Sequence, residues 1–239
     1  MGSVAVIVKG MLQQEQRSGR VVMGYLLGFA VMGYWMAGFL RYAADTGEPV
    51  NILETFCVVE QHYVNMLFLV LGWLLAAADA PFIKGNLYLL LYRCGRKRWN
   101  MGMIFYILMQ AFLYAGAMAA FSIIASSFLG FAGDIWSSPA YALALDTGNH
   151  IGVKYNITFP WLEMMKTMSV PQAFAVTFLF FYLYLAFLGV LLYTSALLFS
   201  RNAGMAAVMG VHLAGYLQMM DGHMETSLLA RAIPGNYID

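Results

Sequence analysis

Five long apolar stretches constrain the fold of this 239-residue chain more than any other feature. A membrane core about 30 Å thick requires roughly 20 apolar residues of helix, at about 1.5 Å per residue. Only 10% of the chain is charged, whereas soluble domains carry about 25% charged residues because they must hydrate their surface. The sequence therefore predicts an all-α, polytopic membrane helical bundle, with spans at residues 21–40, 62–81, 101–131, 171–199 and 203–220.

Lysine and arginine are distributed unequally between the two sides of these predicted spans. If the amino terminus is cytoplasmic and the spans alternate, nine cations fall on the cytoplasmic side: Lys9, Arg17, Arg20, Lys84, Arg93, Arg96, Lys97, Arg98 and Arg201. The outer side then holds four: Arg41, Lys154, Lys166 and Arg231. Since cytoplasmic loops of membrane proteins are enriched in Lys and Arg, this orientation is the predicted one.

The chain is predicted to form a single transmembrane domain, because no polar segment is long enough for a separate soluble one. The longest polar segment, residues 130–170, is predicted to be an outer loop that carries several aromatic rings, Trp136, Tyr141, Tyr155 and Trp161. These rings favour either a lid at the outer interface or simple aromatic anchoring. Cys57 and Cys94 fall on opposite sides of the predicted membrane, so no disulfide framework is expected.

Residues 3–20 have the pattern of an amphipathic helix that precedes the first span. Their apolar positions follow helical spacing: Val4, Ile7, Val8, Met11 and Leu12. A basic helix of this kind is expected to lie flat at the cytoplasmic membrane interface. A frayed amino-terminal tail is the alternative.

The first predicted span contains two glycines, Gly24 and Gly28, at four-residue spacing. Small residues at this spacing allow two helices to approach closely in a membrane. The pair is interpreted as a packing site, either within the chain, which is favoured, or at a dimer interface.

The loop at residues 82–100 is the most distinctive polar segment. It places four cations within six residues and flanks them with aromatic rings: Tyr92, Arg93, Arg96, Lys97, Arg98 and Trp99. This pattern indicates either a docking element for a cytoplasmic partner or an anchor that binds anionic lipid headgroups.

Motifs for catalysis are not found in the sequence. It contains no Gly-Lys-Ser/Thr phosphate loop, no His-Glu-x-x-His, no Gly-x-Ser-x-Gly and no Cys-x-x-Cys, and its four histidines lack metal-ligand spacing. We therefore expect no enzymatic activity, no metal and no cofactor in this chain.

His212 is the only ionisable side chain well inside a predicted span, and His62 lies at the outer mouth of another. An ionisable group within the membrane is by default a candidate functional site. A neutral histidine that is hydrogen-bonded to a neighbouring helix is the alternative for His212.

This layout resembles the permease subunits of bacterial type-2 ABC exporters. Those subunits have an amino-terminal interfacial helix, six spans, a coupling helix between spans two and three, and an outer re-entrant segment between spans five and six. Residues 3–20 correspond to the interfacial helix, residues 92–99 to the coupling region, and residues 221–238 to the start of the re-entrant segment. The resemblance implies that a sixth span is missing from the carboxyl end of this sequence.

The resemblance also implies a location and partners. The chain is expected in a bacterial plasma membrane, with a P-loop ATPase subunit that binds ATP and Mg and with a second permease copy or paralogue. Transport would proceed by alternating exposure of a membrane cavity to an amphiphilic cargo such as a peptide, a lipid or a drug-like molecule. We expect the chain to contact the lipid bilayer, and we do not expect it to bind nucleic acid.

A second hypothesis comes from a different class of protein, a membrane scaffold or sensor subunit that does not transport. Its basic loop would recruit a cytoplasmic regulator or simply anchor the chain. A third hypothesis, a membrane-embedded enzyme, requires polar groups clustered at one depth, and the sequence has no such cluster.

Overall fold

The structure, a computed structural model, describes residues 2–15, 18–60, 62–78, 95–146, 150–157 and 162–220. In these ranges the chain is almost entirely helical, which confirms the all-α class. The helices are α1 (Gly2–Glu15), α2 (Gly19–Thr46), α3 (Glu54–Glu60), α4 (Tyr63–Ala77), α5 (Arg96–Ser126), α6 (Ser138–Ala144), α7 (His150–Tyr155), α8 (Leu162–Thr167), α9 (Val170–Leu198) and α10 (Arg201–Met220). Two short strands, β1 (Val50–Asn51) and β2 (Gly130–Phe131), form a parallel pair.

Three helices, α2, α5 and α9, are long and apolar enough to cross a membrane. Helices α3 and α4 form a fourth crossing if they are counted as one span. This span would be broken by a bend of 91°. The long helices also expose large apolar side chains: Leu26, Phe105, Phe112, Leu183 and Phe187. These features indicate a membrane protein. Helix α10 does not belong to this apolar group, so the count of five spans stays a prediction.

The helix boundaries differ from the predicted spans at several points. The segment predicted at 3–20 is divided, because α1 ends at Glu15 and α2 begins at Gly19. The segment predicted at 62–81 is helical over Tyr63–Ala77, and residues 79–81 lie outside the described ranges. The outer loop at 130–170 contains β2 and the three short helices α6, α7 and α8.

The helix predicted at 101–131 is displaced towards the amino terminus, and the prediction of its end at Phe131 was wrong. It begins at Arg96, after Gly95 with a φ of 76°, and ends at Ser126. The Ser126 and Ser127 hydroxyls donate to carbonyl oxygens of the last turn, and such local bonds compete with helix continuation. Beyond this point Gly130 pairs with Val50 in the β ladder.

Close backbone contact joins the first half of α2 to α4. A Cβ at Gly24 would collide with the carbonyl oxygen of Gly72, and a Cβ at Gly28 would collide with the Tyr114 hydroxyl. Gly24 and Gly28 therefore pack within the chain, against α4 and α5. Around them lies an apolar core of Met32, Met36, Leu69, Trp73, Met118, Phe181, Leu185 and Leu192.

The described bundle has two chemically different ends. The basic end comprises α1, the starts of α2 and α5, the end of α4 and the turn between α9 and α10, and carries Lys9, Arg20, Arg96, Lys97, Arg98 and Arg201. At this end the Arg201 Nε donates to the Ala78 carbonyl at 3.0 Å. The acidic end comprises the end of α2, the β pair, α3 and α6 to α8. It carries Asp45, Glu48, Glu54, Glu60, Asp134, Asp146 and Glu163. Which end faces the cytoplasm stays a prediction.

Candidate functional site

Three consecutive cations, Arg96, Lys97 and Arg98, open α5 at the basic end. All three side chains are exposed, and the first turn of α5 contains no acidic residue. Cations at a helix amino terminus oppose the helix dipole and cost roughly 0.3–1 kcal/mol each. An arrangement that destabilises its own helix in this way is suited to an anionic partner. Tyr92 and Arg93, the other cationic-loop residues predicted to dock, lie outside the described residues.

The next residue, Trp99, is buried, and it fixes the cation triad against α1. Ile7 and Met11 of α1 pack against Trp99 and Met103, and all four side chains are almost fully buried. A Cβ on Gly102 would lie 2.8 Å from the Ile7 Cγ2, so α1 can dock this closely only because residue 102 is glycine. The start of α5 is thus held by α1.

The apolar face that helical spacing predicts for α1 is the one that the structure buries. Ile7 and Met11 are buried and Val4, Val8 and Leu12 are half-buried, whereas Val6 and Lys9 are exposed. This face packs against α5 and α9. Whether α1 also lies at a membrane interface stays a prediction.

A hydrogen bond from α9 also fixes the start of α5. The Tyr193 hydroxyl of α9 donates to the Asn100 Oδ1 at 2.8 Å. Since Asn100 lies one turn from Arg96, the cation triad is connected both to α1 and to the end of α9.

The acidic end is built around the buried carboxylate of Glu54. It accepts hydrogen bonds from the backbone N–H of Ser137, from the Ser137 hydroxyl at 2.7 Å and from the backbone N–H of Asn51 at 3.3 Å. The Ser137 hydroxyl in turn accepts from the Ala140 N–H and caps α6. Glu54 therefore joins the segment before α3 to the segment before α6.

Asn51 adds a second connection between the same two segments. Its side-chain amide donates to the carbonyl oxygens of Gly133 at 2.7 Å and Ile135 at 3.1 Å, while its Oδ1 accepts from the Leu53 N–H. Nearby, the hydroxyls of Thr55 and Ser126 share a hydrogen bond that links α3 to the end of α5. Each of these polar groups is satisfied within the chain.

Aromatic residues of the predicted outer loop have distinct surroundings. Trp136 is buried and its indole N–H donates to the Met168 carbonyl at 2.9 Å. The Tyr155 hydroxyl donates to Asp45 at 2.9 Å, and the Tyr155 ring lies under the Lys154 ammonium. Tyr155 raises the pKa of the exposed Lys154 because it stabilises the ammonium form. Tyr141 is exposed, and Trp161 lies outside the described residues.

Glu60, at the other end of α3, has the opposite environment to Glu54. Glu60 is 5% exposed, and neither of its carboxylate oxygens has a hydrogen-bond partner among the described residues. It lies at the break between α3 and α4. Asn65, early in α4, is 2% exposed and donates from its Nδ2 to the Val59 carbonyl at 3.0 Å.

The two histidines singled out from the sequence have separate partners. The His212 Nε2 lies 3.3 Å from the Leu67 carbonyl, and its Nδ1 lies 2.9 Å from the Tyr184 hydroxyl. Since a carbonyl oxygen only accepts, Nε2 is the protonated nitrogen, and Nδ1 accepts from Tyr184 when the ring is neutral. The His62 ring packs near Trp35 and Tyr63 instead. The structure does not bring the two histidines together.

Sequence reasoning missed Asn51, Glu54 and Glu60 as site residues. The available signal was a pair of glutamates that bracket the short apolar run at residues 55–59 just before a predicted span. The partners of Asn51 and Glu54 lie on a segment 82 and 83 residues away along the chain.

Comparison of the chain with family models, with characterised proteins and with solved structures gave no match.

Proposed function

We propose that this chain is the membrane-spanning permease subunit of an ATP-driven exporter. It moves an amphiphilic cargo, and a separate P-loop ATPase subunit binds ATP and Mg. The observation that carries the proposal is the exposed triad of Arg96, Lys97 and Arg98 on a helix long enough to cross the membrane. The triad is a docking surface for an acidic region of the ATPase.

Helix α5 connects this docking surface to the acidic end. Its 31 residues span about 46 Å at about 1.5 Å per residue. At its far end Ser126 bonds to Thr55 in α3, so a displacement at the triad is transmitted to the broken helix pair. Contacts of Trp99 with α1 and of Asn100 with α9 make these two helices move with the start of α5.

ATP drives the cycle only through its different affinity for two conformations of the assembly. In this proposal the ATPase dimer closes on ATP and pulls the basic ends of two permease chains together, identical or related. That closure shifts the cavity between the chains from one membrane face to the other. The exposed apolar residues of α2, α5 and α9 contact lipid or the second permease chain.

The decisive experiment is purification of the tagged full-length chain in mild detergent, followed by mass spectrometry and an ATPase assay with and without vanadate. Near-stoichiometric recovery of a P-loop ATPase, with vanadate-sensitive activity, is the expected result. Recovery of the chain alone, or with a partner that is not an ATPase, would overturn the transport proposal and favour the scaffold or sensor hypothesis.

A further inference from the structure

We propose that Leu198 and Phe199, an exposed apolar pair in the turn between α9 and α10, bind an apolar recess on the P-loop ATPase. The apolar pair is the centre of the docking surface, and the cation triad of Arg96, Lys97 and Arg98 is its charged border. This inference rests on the proposed function, because it names a second element by which the ATPase recognises the chain.

The apolar pair is far more exposed than is usual for large apolar side chains. Leu198 and Phe199 are each 77% exposed, and among the described large apolar residues only Phe128 is more exposed, at 85%. Single exposed apolar residues are common, whereas apolar residues that share one exposed surface mark contact with a membrane or a protein. Because Leu198 and Phe199 are consecutive, both side chains emerge from the same turn.

Hydrogen bonds and close packing hold this turn in place. The Phe199 N–H donates to the Ser195 carbonyl at 3.0 Å. The Ser200 carbonyl accepts from the Gly204 N–H at 2.8 Å. A Cβ on Gly204 would lie 2.8 Å from the Ala196 nitrogen, so α9 and α10 approach closely next to the turn. A turn that is already ordered loses little conformational freedom on binding, which favours its use as a docking element.

A hydrogen bond between α5 and α9 fixes the level of the apolar pair relative to the cation triad. Helix α5 begins at the basic end and α9 ends there, and the Tyr193 hydroxyl donates to Asn100. Four residues before Asn100 is Arg96, about 6 Å closer to the basic end at about 1.5 Å per residue. Four residues after Tyr193 is Leu197, at the same level. Since α5 and α9 pack directly against each other, the apolar pair lies beside the exposed cations.

The cations at this level favour a protein over lipid chains as the partner of the apolar pair. Charged side chains are costly in the hydrocarbon core of a membrane, so the level of Arg96 lies outside that core. The exposed apolar residues of α5 begin further along the helix, at Met101 and Ile104. Outside the hydrocarbon core, large apolar side chains face water unless a protein covers them.

The charge of the triad also restricts the kind of protein that fits. A second copy of the same surface would oppose cations to cations, which is unfavourable. A partner with carboxylates around an apolar recess complements both parts of the surface. Protein interfaces have an apolar, often aromatic centre inside a polar rim, and a few central residues supply most of the affinity. The triad therefore attracts and orients the ATPase, and the apolar pair stabilises the complex.

The test replaces the apolar pair and measures, by mass spectrometry, the P-loop ATPase that co-purifies with the tagged full-length chain in mild detergent. Leu198→Ser combined with Phe199→Ser should lower the ATPase recovered per chain by about tenfold or more. The matched control is Phe128→Ser combined with Leu129→Ser, which removes an exposed Phe and Leu pair at the other end of α5. The control should recover as much ATPase as the wild type.

The outcomes separate this inference from the proposed function. If the wild type recovers the ATPase, reversal of the triad to glutamate abolishes recovery and loss of the apolar pair does not, this inference alone fails. A wild type that recovers no ATPase overturns both.

Photocrosslinking identifies the partner in a protein that keeps the rest of its docking surface. Benzoylphenylalanine in place of Phe199 should crosslink to the ATPase, whereas the same replacement at Phe128 should not. Crosslinks from position 199 only to lipid, or only to a second permease chain, would overturn the inference. This measurement also decides the question if the double serine variant does not fold.

Discussion

The acidic end and the basic end of the bundle treat their charged groups in opposite ways. At the acidic end the Glu54 carboxylate accepts three hydrogen bonds from within the chain, and Asn51 joins the same network. At the basic end the cation triad at the start of α5 is exposed and has no ion pair with a described carboxylate. The acidic end is therefore closed by its own polar groups, whereas the basic end leaves the charges of this triad exposed.

The same contrast recurs within the seven residues of α3. Glu54 begins the helix and is fully hydrogen-bonded, while Glu60 ends it without a partner in the described structure. Two identical side chains in one short helix therefore have different roles. Glu54 connects the segments of the acidic end, and Glu60 is buried without a hydrogen-bond partner among the described residues.

The largest expected effect on stability is that of Glu54→Ala, which breaks the acidic end. The substitution leaves the N–H groups of Asn51 and Ser137 and the Ser137 hydroxyl without their acceptor. Each buried donor that loses its acceptor costs about 1–3 kcal/mol, and this substitution affects three donors. Chemical denaturation in detergent measures the change, with the exposed Glu48→Ala as control. If the free energy of unfolding falls no further in Glu54→Ala than in Glu48→Ala, Glu54 does not stabilise the acidic end.

An intermediate effect is expected from Ile7→Ala, which weakens the basic end. Ile7 is 2% exposed and fills the space above Gly102. Truncation of a buried isoleucine costs about 2–4 kcal/mol, and here the loss falls on the docking of α1. Hydrogen exchange should accelerate in α1 and at the start of α5 but not in α3. The control is Val6→Ala, at a position 62% exposed. A uniform acceleration of hydrogen exchange throughout the chain would contradict the view that the two ends are stabilised separately.

The smallest of the three effects is expected from Gly24→Ala, where the first half of α2 packs against α4. The added methyl group would collide with the Gly72 carbonyl, so α2 and α4 must separate. Overpacking of this kind costs about 1–3 kcal/mol.

The control for this substitution is Gly116→Ala, because a Cβ at Gly116 meets no atom within 4 Å. At position 116 the substitution should stabilise the helical conformation of α5 by up to about 1 kcal/mol. If both alanine variants unfold at the same denaturant concentration, the close contact between α2 and α4 does not contribute to stability.

The long helices were predictable from sequence, and the polar network was not. Length and hydropathy locate α2, α5 and α9, and helical periodicity identifies the face of α1 that packs on α5. The bond from Asn51 to Gly133 joins residues 82 positions apart. No local pattern encodes such a contact. The end of α5 was also missed, because the apolar run continues past Ser126 while the hydroxyls of Ser126 and Ser127 bond back to the helix.

The break between α3 and α4 was missed for a related reason. The apolar residues from 55 to 59 resemble an extension of the following span, and a composition average does not register a bend. Conversely, the cation cluster was found from sequence because it depends only on residues adjacent in the chain. Its exposure and its support by α1 required the folded structure.

Two charge reversals of equal size test whether the basic end is the docking surface for the ATPase. One variant reverses Arg96, Lys97 and Arg98 to glutamate at the basic end. The other reverses Arg41, Lys154 and Lys166, three exposed cations at the acidic end. Each tagged full-length protein is purified in mild detergent, its expression and monodispersity are checked, and the co-purified vanadate-sensitive ATPase activity is measured.

Reversal at the basic end is expected to lower recovered ATPase activity by about tenfold or more, since like charges across an interface cost several kcal/mol. Reversal at the acidic end should leave that activity close to the wild-type value. Equal activity in all three proteins, or a loss confined to the acidic-end variant, would contradict the claim that the basic end is the docking surface.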